Sequence, residues 1–386
     1  MSANSGTTGS DASEMEALHR GRSRRGLWIA IGTIITVVAI VAYVALSGLL
    51  GPQVITLQGA GSSFVYPLMR EWASVYNSSQ VRINYASVGS GTGITRLEQK
   101  IVDFAGSDAP LQPSDRVAAP NALHIPESIG AVTLAYNVAG VATGLNVTGS
   151  IVAGIYLKAI TNWNDTRIQS VNPGVNLPNL AITPVYRSDS SGTTFVFTGY
   201  LSKANATWNS TVGTSKNPGT KWPTGIGAPQ NAGVAGKVLQ TPGAVGYVEL
   251  AYTVENAMTV AKVQNPAGEY VLPTLNSTAA AAANSAPSLP SGAGDWANVS
   301  VLNAPGATSY PIASFTYLIV YKELNVEGSV MTQGRAQALV NFLWWVVHQG
   351  QAYAPGLVYV PLPQAVVTID ETAINSITLN GQTLHS

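Results

Sequence analysis

Four short stretches of this chain combine glycine with hydroxyl or ionic side chains. They are Gly59-Ala-Gly-Ser-Ser-Phe64, Gly89-Ser-Gly-Thr-Gly93, Asp103-Phe-Ala-Gly-Ser-Asp108 and Arg187-Ser-Asp-Ser-Ser-Gly-Thr-Thr194. All of them suit the capture of an anion. Glycine lets backbone approach a ligand closely and adopt positive φ. Serine and threonine add hydroxyl donors. A helix that starts just after such a turn offers unpaired N–H groups and a partial positive charge. The fourth stretch adds Arg187, whose planar fork fits two oxygens of a tetrahedral oxyanion, with Asp189 two residues on to hold it in place.

Asp108 stands apart, because a carboxylate repels an anion unless the anion brings a proton. Hydrogen phosphate and dihydrogen phosphate carry one; sulfate at neutral pH does not. An acceptor-only group in a dry site therefore favours phosphate, and sites built around one specific hydrogen bond discriminate by about 10⁴–10⁵. Taken singly, each stretch is an ordinary polar turn, and Arg187 with Asp189 an ordinary surface pair. Gly59-x-Gly61 lacks the third glycine of a dinucleotide fingerprint, and no Gly-Lys-Ser/Thr P-loop occurs.

The elements expected around these stretches alternate between strand and helix, which predicts an α/β fold. Val54–Leu57 reads as a strand leading into a turn over Gly59–Ser63, and Pro67–Tyr76 as a helix. Val81–Ser87 reads as a strand before the turn Gly89–Gly93, Thr95–Ile101 as a helix, and Phe104 opens a short strand ending at Asp108. Further on, Ala131–Asn137, Ile182–Arg187, Gly243–Val248 and Ile312–Tyr321 read as strands. Ile151–Leu157, Phe195–Leu201, Ala279–Ala283 and Ala336–His348 read as helices. There is no repeat of fixed period.

With 386 residues the chain exceeds one average domain, so two lobes are expected. It is 46% hydrophobic and only 10% charged, with zero formal net charge. That argues against disorder and against the basic footprint of a nucleic-acid binder. With no cysteine, disulfides, thiolate catalysis, Cys-ligated metals and a lipidated cysteine are excluded. No metal site with credible ligand spacing and no cofactor motif stands out. Residues 27–50 carry no charge and are long enough to span a bilayer, longer than a usual secretory h-region. Ala45-Leu46-Ser47 could still serve as a cleavage site. Arg20, Arg22, Arg24 and Arg25 place residues 1–26 in the cytoplasm and the remainder outside. Seven Asn-x-Ser/Thr sequons, at Asn77, Asn146, Asn164, Asn205, Asn209, Asn276 and Asn298, agree with an outside surface that could carry glycans.

The order of motifs resembles one family. Gly59–Phe64 with Pro67, Val88–Gly93, VDFAGSDAPL (102–111), ITNWND (160–165), NPG (172–174), RSDSSGTTFVF (187–197), KWPTGI (221–226) and PGAVGYVE (242–249) occur in that sequence. Together they look like the periplasmic phosphate-binding protein of the phosphate-specific (Pst) ABC importer, over about Gly59 to Pro363. The resemblance implies a two-lobed type II periplasmic-binding-protein fold whose hinge strands join two α/β lobes that close on phosphate. It implies Ser63, the Phe64 N–H, Ser90, Asp108, Arg187, Ser191, Gly192 and Thr193 as phosphate ligands, with Asp189 orienting Arg187. The implied partners are inorganic phosphate and the permease and ATPase subunits of an ABC importer, and a monomer is the expected state. Two departures stand out: Ser63 where a threonine is common, and Gly-Ser-Gly-Thr-Gly in the second turn, which leaves the part of Thr92 open. The expected lobes are 54–129 plus 309–386, and 130–308. Competing readings are another oxyanion such as sulfate or molybdate, an anchored serine hydrolase using Ser63 or Ser191, and a glycosylated adhesion protein. The four histidines, His19, His124, His348 and His385, adjoin none of the turns, and no Gly-x-Ser-x-Gly elbow occurs.

Overall fold

The computed structural model describes residues 28–29, 31–42, 54–78, 80–285 and 289–384. Chain contacts divide it into two units, Met1–Val54 and Ile55–Ser386. In the first, residues 28–29 and 31–42 are helical and exposed; the rest of the expected span over 27–50 lies outside the described residues. Among the described residues no helix is long and apolar enough to cross a membrane.

The second unit is built on nine strands: β1 (Ile55–Gly61), β2 (Val81–Ser87), β3 (Phe104–Ser107), β4 (Ala122–Tyr136), β5 (Thr183–Arg187), β6 (Ile226–Ala228), β7 (Ala244–Glu249), β8 (Thr259–Val260) and β9 (Ala313–Tyr321). They form one sheet in the order β2-β1-β3-β9-β4-β7-β5-β6, with β8 also paired to β4. β1 runs parallel to β2 and β3, and β5 runs parallel to β6 and β7. Between these parallel groups lie β9 and β4, antiparallel to their neighbours. This is the two-lobed α/β architecture of periplasmic binding proteins, with a curled sheet. β4 belongs to both groups: Ala122–Ala131 pair with β9, and Val132–Tyr136 pair with β7.

Helices α1 (Tyr66–Tyr76), α2 (Ser90–Glu98), α3 (Pro113–Ala118), α4 (Gly149–Tyr156), α5 (Gly192–Ala204), α6 (Gln230–Gln240), α7 (Leu250–Glu255), α8 (Leu275–Asn284), α9 (Gln333–Val347) and α10 (Gln364–Asn375) accompany the sheet. α1 has the apolar spacing expected from its sequence, and Leu68 and Trp72 are buried. Trp72 also donates its indole N–H to the Gly350 carbonyl at 2.7 Å, tying α1 to the segment after α9. Phe342 on α9 packs 5.6 Å from the ring of Phe104 on β3, so α9 is a core helix.

Several expected boundaries are corrected. β1 runs on through Gly61, so Gly59–Gly61 is strand and only Ser62–Phe64 forms the turn. The second glycine turn is the first turn of α2, which occupies 90–98 rather than 95–101. β4 begins at Ala122, not Ala131. His124, Pro126, Glu127 and Ser128 break its apolar run, yet all fifteen residues are buried. α5 begins at Gly192 and continues to Ala204.

Candidate functional site

Because β1 and β3 are neighbouring parallel strands, with Gly61 opposite Gly106, their C-terminal ends emerge side by side. Ser62, Ser63 and Phe64 leave β1 there, and Asp108 leaves β3. Ligands of open α/β sheets bind at such strand ends. α2 begins beside them at Ser90. From the other parallel group, β5 ends at Arg187 and α5 begins at Gly192. Thus two helix N-termini and two sets of strand ends meet.

The meeting is close. A methyl group on Gly192 would lie 2.6 Å from Ser90 Oγ, 2.7 Å from the Asp108 amide nitrogen and 2.7 Å from Asp108 Oδ2. Only a residue without Cβ lets α5 approach Asp108 in this way. Gly89 has φ +89°, where a side chain would be strained, and its Cβ would strike the Asp189 carboxylate. Gly91 donates its N–H to the Ser190 carbonyl at 3.0 Å, and Gln230 donates its side-chain amide to the Ser87 carbonyl at 2.7 Å. Asp115 of α3 and Lys216 form an ion pair of 2.6 Å on the same seam.

Arg187 is 2% exposed. Its Nε and Nη2 donate to the two Asp189 oxygens at 2.8 and 2.5 Å, and its Nη1 donates to Thr193 Oγ1 at 3.3 Å. Burial pushes the Asp189 carboxyl up, but the bonds from Arg187 and the Gln230 amide outweigh it and hold the group below its usual range. Asp108 is fully buried. Its Oδ1 accepts from the Ser62 hydroxyl and, at 3.3 Å, from Thr316. Its Oδ2 accepts from Thr193 at 3.3 Å. Burial pushes Asp108 up to about 6, against the lowering effects of Ser62, Arg187, Thr316 and Thr193. The group is therefore largely ionised at neutral pH and able to accept a proton-bearing hydrogen bond.

Each predicted residue lies in this cluster or on its wall. Ser63 Oγ accepts from the backbone and side-chain N–H of Asn231, at 3.1 and 3.0 Å. Phe64 donates its N–H to Ser62 Oγ at 2.9 Å. Ser90 Oγ accepts from the Asp108 amide at 3.4 Å. Ser191 Oγ caps α5 by accepting from Thr194 N–H at 3.1 Å. That hydroxyl keeps its proton free to donate.

Sequence reasoning missed Ser62, Asn231 and Thr316. Ser62 sits inside a quoted motif, and only the geometry distinguishes it from Ser63. Asn231 opens α6, and its Nδ2 lies 3.1 Å from Thr193 Oγ1 and 3.0 Å from Ser63 Oγ. Nothing in its neighbourhood resembles an anion turn. Thr316 lies in a strand whose apolar run reads as core, and nothing local marks its hydroxyl.

His124, by contrast, accepts from the Leu111 amide at 2.9 Å, and burial drives it down to about 3. His348 pairs with Glu371 at 3.0 Å. Neither bonds to a site serine, so among the described residues no Ser–His couple forms. Among the described residues no group of three or more acidic or histidine side chains could hold a metal ion.

The family model described as "PBP superfamily domain" matches residues 49–349. Over 322 residues the chain is 39% identical to the phosphate-binding protein PstS of Xylella fastidiosa (strain 9a5c), covering 81% of this chain and 83% of that one. The chain belongs to the PstS family. The PstS of Pasteurella multocida is 39% identical over 317 residues, 82% of this chain and 88% of the relative. PstS of Methanocaldococcus jannaschii is 32% identical over 345 residues, 84% and 87% of the two chains. Among solved structures, the phosphate-binding protein of Stenotrophomonas maltophilia superposes with a TM-score of 0.65 at 21% identity, over 82% of this chain and 93% of that one. At that identity the likeness concerns the fold alone. Arg187, the starts of α2 and α5 and the hydroxyls of Ser62, Thr193 and Thr316 surround the buried Asp108 carboxylate.

Proposed function

We propose that this chain captures inorganic phosphate outside the cytoplasm and delivers it to an ABC phosphate importer. It is a binding protein and not an enzyme, as its PstS family membership implies. The observation that carries the reading is the position of Asp108: a buried, mostly ionised carboxylate bonded to Thr193, which in turn receives Nη1 of Arg187. A cation and a proton acceptor thus flank one point. The ligand set is Ser63, the Phe64 N–H, Ser90, Asp108, Arg187, Ser191, Gly192 and Thr193, with Asp189 holding the guanidinium. Ser62 and Asn231 brace that set from behind.

The lobes are 54–129 plus 309–386, and 130–308, and phosphate closes them because it contacts both at once. β4 and β9 carry the crossings, as the change of β4 partner near Ala131–Val132 supports. Residues 27–50 anchor the chain in the membrane with residues 1–26 inside, and the protein works as a monomer. Five of the seven sequon asparagines are exposed, whereas Asn146 and Asn205 are partly buried, and Asn205 caps a helix by accepting from the Trp208 N–H at 2.8 Å. Glycans therefore belong on the other five.

Calorimetric titration with phosphate, arsenate and sulfate tests the reading. Phosphate and arsenate should bind one to one, and sulfate at least about 10³-fold more weakly. Arg187→Ala should abolish phosphate binding. Sulfate binding as tight as phosphate would assign the site to another oxyanion. Cell fractionation of the full chain, with intact mass of the membrane fraction, tests the anchor: a mature chain starting near Gly48 would refute it.

A further inference from the structure

β4 skips one residue opposite β9. Thr316 pairs with Ser128 and Tyr317 with Pro126, which leaves Glu127 as a bulge. Bulges re-aim a side chain and recur beside functional sites. Here the fully buried Glu127 places Oε1 3.1 Å from Thr316 Oγ1, while its Oε2 meets no hydrogen-bond partner. The same threonine oxygen lies 3.3 Å from Asp108 Oδ1 and 3.5 Å from the Ser107 carbonyl.

Thr316 has one proton to give and faces three acceptors. The count closes when one of the two buried acids carries a proton, and burial favours that proton on Glu127 over Asp108. Glu127 carries a proton and donates it to Thr316 Oγ1, and Thr316 donates to Asp108 Oδ1. Ser62 fills the other lone pair of Oδ1, so Oδ2 is the oxygen left for the ligand once Thr193 turns away.

We propose that Glu127 is a positioning residue for phosphate selection: as a neutral acid it acts through Thr316 to hold Asp108 as an ionised acceptor with Oδ2 aimed at the ligand. The inference rests on the phosphate reading above. Burial pushes the Glu127 carboxyl up to about 8, against the lowering bond from Thr316 and with the charge of Asp108 adding to the rise. The titratable groups facing this chain of bonds are Asp108 at the end of β3, Tyr85 on β2, Tyr317 on β9, Tyr359 beside β4 and Glu249 at the end of β7, which Tyr359 bonds. Burial holds Glu249 and all three phenols above their ordinary ranges. Arg187 is the basic group, and it lowers Asp108. A bound anion adds negative charge next to Glu127 and raises it further. Phosphate binding above the free-state titration of Glu127 must therefore take up a proton there, and affinity must fall by up to about ten-fold per pH unit.

Calorimetry of the full chain at about pH 7 and about pH 9, in buffers of differing ionisation enthalpy, tests this. At the higher pH dissolved phosphate already carries the single proton that Asp108 accepts, so uptake belongs to the protein. Wild type should take up a substantial fraction of a proton and bind about 5- to 10-fold more weakly than at neutral pH. Glu127→Gln keeps an N–H donor toward Thr316 that does not titrate. It should bind within about two-fold of wild type at neutral pH and lose both the uptake and the alkaline fall.

Equal proton uptake and equal pH slopes in the two proteins would overturn the proposal while leaving phosphate binding intact. Infrared spectra of the ligand-free protein give a readout independent of phosphate. A protonated-carboxyl band should be missing in Glu127→Gln and should move to higher wavenumber in Thr316→Val, where the acid loses its acceptor. If Glu127→Gln does not fold, Thr316→Val carries the test, and an unchanged band there refutes the assignment. A wild type that does not bind phosphate at all would remove the phosphate reading, and the infrared band would still decide the state of Glu127.

Discussion

Gly192→Ala places one methyl group where two halves of the site meet. The added carbon would lie 2.6 Å from Ser90 Oγ and 2.7 Å from both Oδ2 and the backbone nitrogen of Asp108. Ordinary carbon contacts begin near 3.4 Å, so relief must come from moving backbone at Asp108 or withdrawing α5. Ser90 Oγ could rotate; the Asp108 amide could not. Overpacking of this kind costs about 1–3 kcal/mol. If the lobes part as proposed, α5 leaves Asp108 in the open form and the cost falls only on the closed arrangement. It should therefore appear as about 5- to 150-fold weaker phosphate binding, since each 1.4 kcal/mol is tenfold. The thermal midpoint of the ligand-free protein should move little, because the open form does not make the contact. Calorimetry with phosphate gives the first quantity, and differential scanning in phosphate-free buffer gives the second. Scattering profiles with saturating phosphate should show a more open particle than wild type. Phosphate affinity within two-fold of wild type would refute the reasoning, since α5 would then not approach Asp108 in the bound state.

Asp108→Asn replaces an acceptor-only oxygen with an amide that can donate, and the preference for phosphate over sulfate should shrink by about 10²-fold or more, measured by competitive titration. In the ligand-free protein, Asp108 and Glu127 titrate at about 6 and about 8, above their unfolded values. Between about pH 4 and about pH 8 the folded chain then holds more protons at these two sites than the unfolded chain, over most of that window outweighing the one that buried His124 gives up below about pH 6.5. Stability should decline as pH rises through that window and recover on acidification, and a thermal midpoint that climbs from pH 5 to pH 8 would contradict this. Lys216→Met breaks the half-buried ion pair with Asp115 and should weaken phosphate binding by roughly five-fold, the effect of about 1 kcal/mol, more at low salt than at high. An effect on stability without an effect on affinity would mean that the pair does not latch the lobes.

The sequence by itself determined which backbone segments can bind an anion. Gly59–Phe64, Gly89–Gly93, Asp108 and Arg187–Thr193 are local patterns, in which glycine, hydroxyl and charge follow a strand, and each lies on the cluster. Other elements were also legible: β2 and α1 have apolar periodicities set by their own residues, and β3 and β5 lead directly into the polar turns. The start of β4 was not, since His124, Glu127 and Ser128 are polar and their burial is imposed by β9 and by partners far along the chain. Tertiary structure alone decided the supporting shell. Asn231 reaches Ser63 from 168 residues away, and Thr316 reaches Asp108 from 208 residues away. Such contacts arise from which strands become neighbours, and no local spacing encodes them. The proton state of the site belongs to the same class, because burial, Arg187 and the hydroxyls of Ser62, Thr316 and Thr193 set the charge on Asp108, and a bulge aims Glu127 at Thr316.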